Sequence, residues 1–267
     1  MEKQQFLKLN QHIIKDKTIL DLACHEGVST RIIKNFGAKH IFGVEARSEL
    51  VEIAKNKLQG NVEFFVGDIQ DSNLIAPLVE KSQTVIALGV LYHLYNHFGF
   101  LSNILRPNIR HVLIETVAGP ETLATAMDWG LEDVKTNYNG WHPNKTKVLC
   151  GTPNLSWIFK TEEIFDFKCD WVYSFGELPP KSRHDITYNE YIQIKENNWP
   201  DYEMITSDAH LPDRIVNAIN TRLFDDGPAQ AGNKRILIRL YNTKNVDSKP
   251  VDLEQCYRWF QHRQKSL

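Results

Sequence analysis

The stretch that decides the fold is TILDLACHEGVSTRIIKNFGAKHIFGVEARSE, Thr18 to Glu49. TILDLAC is an apolar run suited to a buried parallel strand. STRIIKNFGAK follows as a short helix, with Ser29 or Thr30 near its start and Gly37 as its stop. HIFGVEA is a second strand that ends on an acid, Glu45. The turn between them carries Ala23, His25 and a single glycine, Gly27, where a nucleotide-cradling turn would be glycine-rich.

The same rhythm continues outward in both directions. The first 17 residues form a short helix with an apolar stripe at Phe6, Leu7, Leu9, Ile13 and Ile14. SELVEIAKNKLQG is a helix with Ser48 as N-cap and Gly60 as stop. VEFFVGD is a strand, NLIAPLVEK a helix, QTVIALGVLYH a strand running into a loop, HFGFLSNILR a helix and RHVLIET a fifth strand. Strands alternating with helices build a parallel sheet covered on both faces. Right-handed crossovers then place every strand-to-helix loop on one edge, where ligands bind.

After Thr116 the pattern loosens. VAGPETLATAMDWGLEDVKTNYNGWHPNKTKVLC reads as a long polar segment with interleaved aromatics. NLSWIFKTEEIFDF is a helix and KCDWVYSFGE a strand. An irregular aromatic-rich stretch follows from about residue 177, then a helix DRIVNAINTRLF, a late strand KRILIRLYN and a terminal helix DLEQCYRWFQHRQ. The whole chain, 1–267, is expected to be one domain. Residues 15–120 form its ligand-binding core, and 120–150 and 177–232 are insertions that cover the site, since long loops beside a sheet edge are seldom idle.

Composition excludes several classes. The chain has 267 residues, 42% hydrophobic and 24% charged, with a net charge of −2. That balance supports a sizeable core and disfavours a nucleic-acid grip. The cysteines Cys24, Cys150, Cys169 and Cys256 form no CxxC pair, so neither a zinc ribbon nor a redox motif is indicated. The polar N-terminus lacks a signal-peptide core and no apolar run reaches membrane-span length. The expectation is a cytoplasmic protein.

The glycine deficit points to a particular ligand. A dinucleotide needs G-x-G-x-x-G so that its pyrophosphate can lie on the turn. Ala23, His25 and Val28 fill those slots poorly. S-adenosylmethionine carries no phosphate and presents an amino-acid end instead. Asp21 can hold its ammonium and the turn amides its carboxylate. Glu45, 24 positions after Asp21, can accept the ribose hydroxyls. Asp68, in Gly67-Asp68-Ile69, can take the adenine amine while Ile69 packs on the base. Ala46, Arg47, Leu88 and Gly89 complete the expected lining.

ILDLACHEG, FGVEARSELVEIA, FFVGDI and ALGVLYHLYNHFGFL resemble the successive cofactor motifs of class I S-adenosylmethionine-dependent methyltransferases. CGTPNLSWIFKTEEIFDF is similar to the helix that follows the core in those families. LGVLYH and VLIET are most similar to the branch that includes tRNA wobble-uridine carboxymethyltransferases. The resemblance implies a Rossmann-like seven-stranded α/β sheet, mostly parallel, whose last strand, KRILIRLYN, is antiparallel. Two departures stand out. The usual first-motif glycines are absent at Ala23 and His25, and only Arg31 and Arg47 offer themselves as readers of an extra carboxylate.

Methyl transfer from a sulfonium is an in-line displacement in which the enzyme orients, desolvates and, for a hydroxyl or protonated amine, supplies a base. GVLYHLYNH at the fourth-strand exit offers Tyr92, His93 and His97 for that work. His93 and His97 also stand i, i+4, a metal-pair spacing without a third ligand, so no metal is expected. Glu115, Asp128, Trp129, Trp141, His142, His184, Tyr188 and Tyr191 are further candidates above the sheet edge. No D/N-P-P-Y/F or Pro-Cys sequence occurs. Methylation of a small-molecule or glycan acceptor at oxygen or nitrogen is the leading reading. A tRNA-modifying (carboxy)methyltransferase, an NAD-dependent oxidoreductase and a non-catalytic S-adenosylmethionine-binding protein remain as alternatives.

Overall fold

The computed structural model describes residues 2–118, 127–133, 146–153, 157, 160–175 and 234–244. Helix α1 (Glu2–Leu9) and a 3-10 turn (Gln11–Ile13) lead into β1 (Thr18–Leu22), α2 (Val28–Asn35) and β2 (His40–Glu45). Then come α3 (Ser48–Lys57), β3 (Val62–Val66), α4 (Ser72–Lys81), β4 (Thr84–Leu88), a 3-10 turn (Leu91–His93), α5 (His97–Ile104) and β5 (His111–Ala118). The later elements are β6 (Met127–Asp133), β7 (Lys147–Pro153), a 3-10 turn (Thr161–Glu163), β8 (Phe167–Phe175) and β9 (Lys234–Asn242).

Seven strands form one sheet in the order β3-β2-β1-β4-β5-β9-β8. β1 pairs parallel with both β2 and β4, so the chain reverses its direction of travel across the sheet at β1/β4. That reversal opens a crevice at the carboxyl ends of these strands. β9 runs antiparallel to both β5 and β8, as expected of KRILIRLYN.

The period-2 alternation of the strands divides the core into two layers. Leu20, Leu22, Val85 and Ala87 pack with Ile75, Leu78, Phe100 and Ile104 from α4 and α5. Ile19, Ile86 and Leu113 pack on the other face with Phe6 and Leu7 of α1 and Ile33 of α2.

Several expectations are corrected. The polar segment after Thr116 contains a two-stranded hairpin, β6 with β7, in register from Met127↔Pro153 to Asp133↔Lys147. Of the helix expected in NLSWIFKTEEIFDF, Trp157 and Lys160 are helical and a 3-10 turn follows at Thr161–Glu163, while 154–156 and 158–159 lie outside the described residues. The N-cap of α3 is Arg47 rather than Ser48, and the Arg47 amide donates to Glu45 Oε1 at 3.2 Å. The 177–232 insertion and the helices DRIVNAINTRLF and DLEQCYRWFQHRQ lie outside the described residues.

Candidate active site

The turn after β1 is built from left-handed backbone. Ala23, His25 and Gly27 have φ of 54°, 55° and 82°. Two of the three are not glycine, which is unusual for this region of conformational space. The strain is held by hydrogen bonds. The Cys24 amide donates to Val44 O at 3.1 Å and the Gly27 amide to Cys24 O at 3.0 Å. The His25 amide donates to Glu45 Oε2 at 3.0 Å. These three amides are therefore committed within the protein, which corrects the expectation that the turn amides as a set would hold a ligand carboxylate.

Asp21 is the last residue but one of β1 and is almost fully buried. Its Oδ2 accepts from Ser29 Oγ at 3.0 Å and Thr30 Oγ1 at 2.6 Å, both at the start of α2. Burial raises its carboxyl to about 6, against the lowering pull of those two hydroxyls and of Lys3. Glu45 is also buried. Besides His25, it accepts from the Arg47 amide and from Arg47 Nε at 2.8 Å. Arg47 Nε and Glu45 Oε1 thereby form an ion pair. Ala46 lies between them on the loop after β2.

The β3 exit is tied to the β2 exit by the Gly67 amide, which donates to Glu45 O at 3.0 Å. Asp68 Oδ1 accepts from the Gln70 amide at 2.8 Å. Ile69 is buried in the main apolar cluster, so it walls this end of the crevice rather than offering an open platform.

The β4 exit carries a different set of groups. Gly89 has φ of +83°, and a β-carbon there would lie 2.9 Å from Lys3 Nζ, 3.4 Å from Glu115 Oε2 and 3.9 Å from the Tyr92 hydroxyl. Three polar side chains thus converge on a point that only glycine leaves open. Leu88, just before it, offers its carbonyl to Lys3 at 3.5 Å. Tyr92 leans on His93, with ring centroids 4.0 Å apart.

His93 is buried, and its Nδ1 lies 2.8 and 2.6 Å from the two oxygens of Glu132. An ionised carboxylate can only accept, so Nδ1 is the donor. Glu132 arrives on the β6–β7 hairpin, which is pinned at Gly151. The Gly151 amide donates to Leu94 O at 2.9 Å, and His97 Nε2 donates to Gly151 O at 2.7 Å.

His97 is thereby spent on clamping the hairpin. It lies edge-on to Trp129 and Trp157 at 5.9 and 5.7 Å, and burial lowers its tendency to protonate. The i, i+4 pairing of His93 with His97 is not realised on a helix: His93 closes a 3-10 turn and His97 opens α5. Their nitrogens serve separate partners. Among the described residues, no group of three His, Cys, Asp or Glu side chains could hold a metal ion.

Neither Cys24 nor Cys150 is poised as a nucleophile. Burial, with Asp21 and Glu45 adding to it, pushes the Cys24 thiol up. Burial and then Glu132 push Cys150 up to about 11. His142, Trp141, His184, Tyr188 and Tyr191 lie outside the described residues. Glu132 and Lys3 were missed by sequence reasoning. Glu132 reaches the site only through hairpin pairing, and Lys3 only through the seat of α1. The alternation Met127, Trp129, Leu131 is the one local signal that could have revealed the hairpin.

Comparison with known proteins follows the same geography. The family described as "Methyltransferase domain" matches residues 19–107, which contain Asp21, Glu45, Asp68 and His93. Protein arginine N-methyltransferase 1 of Schizosaccharomyces pombe is 29% identical over 90 residues, 32% of this chain and 25% of that protein. The chain thus matches about a quarter of that relative's length. An S-adenosylmethionine-dependent methyltransferase from Mesorhizobium loti superposes with a TM-score of 0.53 at 11% identity, covering 89% of this chain and 97% of that one. The N-terminal domain of EvdMO1, crystallised in the presence of SAH and D-fucose, gives a TM-score of 0.51 at 15% identity, over 90% and 81% of the two chains. No described helix is long and apolar enough to cross a membrane.

Proposed function

We propose that this chain, whose residues 19–107 match the methyltransferase-domain family, is a class I S-adenosylmethionine-dependent methyltransferase that methylates an oxygen or nitrogen of a small-molecule or glycan acceptor, with His93 as general base. The observation that carries this reading is the His93–Glu132 pair at the β4 exit, beside the strands that carry the two buried acids Asp21 and Glu45.

The residues present fit the cofactor. The left-handed turn after β1 and the polar side chains gathered over Gly89 stand at the strand exits where a nucleoside and its amino-acid end would lie. Glu45, pre-oriented by His25 and Arg47, would hold the ribose. Asp68 would take the adenine edge, and Asp21 the ammonium. When bound, the cofactor supplies a methyl group on a positively charged sulfur, a leaving group already activated for displacement.

The chain's own part is orientation and proton handling. The acceptor, held in line with the methyl group that the bound cofactor would supply, would leave S-adenosylhomocysteine as the neutral product. The acceptor proton passes to His93 Nε2. Glu132 keeps Nδ1 protonated and stabilises the imidazolium that results. Tyr92 packs against the imidazole and helps fix its plane. As His93 supplies the base, the proposed step draws on no metal.

Methyl donor turnover on a panel of hydroxyl- and amine-bearing small molecules and sugars, read by release of S-adenosylhomocysteine, tests the proposal. Turnover on that panel that collapses in His93→Gln supports it. Turnover only on tRNA or on protein arginine would replace the acceptor class. S-adenosylhomocysteine binding without turnover on any of these would favour a non-catalytic binding protein.

A further inference from the structure

We propose that the ion pair between Lys3 and Glu115 recognises the zwitterionic amino-acid end of the cofactor, with Lys3 taking its carboxylate. The inference rests on the cofactor reading above. It brings α1 into the site and accounts for a buried acid that the methyl-transfer step does not use.

The carrier of Lys3 is firmly seated. Phe6 and Leu7 of α1 are fully buried against the sheet, and Asn10 Nδ2 closes the end of the helix on Phe6 O at 2.9 Å. This places Lys3, in the first turn, over the carboxyl ends of β4 and β5. Its Nζ lies 2.8 Å from Glu115 Oε2, and the two side chains are 45% and 1% exposed. The contrast decides the roles. Glu115 is sealed in, and stripping its cation would leave a buried carboxylate uncompensated. Lys3 therefore stays where it is, while its exposed flank faces outward.

An ammonium has three donors. Lys3 Nζ is ion-paired with Glu115 Oε2 without hydrogen-bonding to it, and one donor points at Leu88 O, at 3.5 Å. Another can serve a ligand. Asp21 is close enough for Lys3 to favour its ionised form. The β1 and β4 exits thus present carboxylates and a carbonyl next to one fixed cation. An amino acid is itself a cation and an anion a short distance apart. It fits here head to tail, its ammonium toward Asp21 and the Leu88 carbonyl, its carboxylate toward Lys3. The glycine at position 89 makes room for Lys3, since a β-carbon there would lie 2.9 Å from Lys3 Nζ. A nucleoside lacking the amino-acid end would gain nothing from the pair.

The test titrates two ligands, S-adenosylhomocysteine and 5′-methylthioadenosine, into wild type, Lys3→Met, Lys3→Gln and Lys3→Arg by calorimetry. The second ligand keeps the adenosine and the thioether but has no amino-acid end. The expected result is that Lys3→Met and Lys3→Gln weaken S-adenosylhomocysteine by about tenfold or more, the scale of one charge-assisted hydrogen bond. Binding of 5′-methylthioadenosine stays at the wild-type level, and Lys3→Arg recovers most of the loss. Equal weakening of both ligands would mean that Lys3 only supports the fold. Unchanged or tighter S-adenosylhomocysteine binding would mean that Lys3 is idle or competes for the ammonium's place. Each of these overturns the inference while leaving the cofactor reading intact. Wild type that binds neither ligand overturns both.

Discussion

His93 and Glu132 stand 39 positions apart in the chain, yet Nδ1 of one lies 2.8 and 2.6 Å from the two carboxylate oxygens of the other. The contact is made by the β6–β7 hairpin, which is pinned to this edge at Gly151. Removing the base should show in the chemistry and not in cofactor binding. His93→Gln is expected to lower the methyl-transfer rate by roughly 10²–10⁴, with S-adenosylhomocysteine affinity within about threefold of wild type. Single-turnover rates and calorimetry on the same preparation check both halves.

Glu132 acts through His93. Glu132→Gln keeps an acceptor for Nδ1–H but no charge to stabilise an imidazolium, so its rate is expected to fall less than that of Glu132→Ala. The nitrogen-15 spectrum of the histidine ring provides a readout independent of turnover. Wild type and Glu132→Gln should show His93 with its proton on Nδ1. In Glu132→Ala that preference should be lost. A retained Nδ1–H tautomer in the alanine variant would contradict the role given to Glu132.

Asp21 makes cofactor binding and stability respond to pH in opposite ways. Its folded value of about 6 stands above the usual 3.8. Above pH 6 it is ionised in both states, and burying the charge costs about 3 kcal/mol. As pH falls from 6 to about 4 the folded state takes up a proton that the unfolded state does not, and this penalty disappears. Asp21→Asn should therefore raise the thermal midpoint relative to wild type at pH 7.5, with the difference gone near pH 4. The ammonium of the cofactor needs the ionised form, so wild-type affinity for S-adenosylhomocysteine should decline as pH drops through 6. The Asp21→Asn protein should bind weakly throughout.

Gly27 is the hinge of the opening turn. Its φ is +82°, and a β-carbon there would approach Leu58 Cδ1 to 2.8 Å. Gly27→Ala should cost about 1–2 kcal/mol from the left-handed backbone alone, more if Leu58 cannot yield. Denaturant unfolding measures it. No change in the midpoint would mean that the turn relaxes to another conformation.

The parts legible in the sequence were those governed by local rules. TILDLAC, HIFGVEA and the helices between them announce themselves by periodicity, and Gly37, with φ of +82° just past α2, ends its helix as read. KRILIRLYN takes the antiparallel place expected of the last strand. The less legible parts depend on contacts between distant residues. MDWGLED has the alternation of a strand, but its many polar neighbours masked it, and nothing local ties Glu132 to His93. The His93/His97 spacing suggested a common face, whereas the backbone breaks between them and sends the two rings to different partners. The glycine-poor turn was read correctly as a problem. Its solution, the Glu45 carboxylate receiving the His25 amide, joins two strands and could be seen only in three dimensions.

The central claim is that this glycine-poor turn serves a phosphate-free nucleoside held by Glu45. Calorimetric titration of S-adenosylhomocysteine and, separately, NAD into wild type and Glu45→Ala tests it most directly. The expected result is micromolar or tighter binding of S-adenosylhomocysteine, no binding of NAD, and about a tenfold or greater loss in Glu45→Ala. Binding of NAD alone, or S-adenosylhomocysteine affinity indifferent to the substitution, would contradict it.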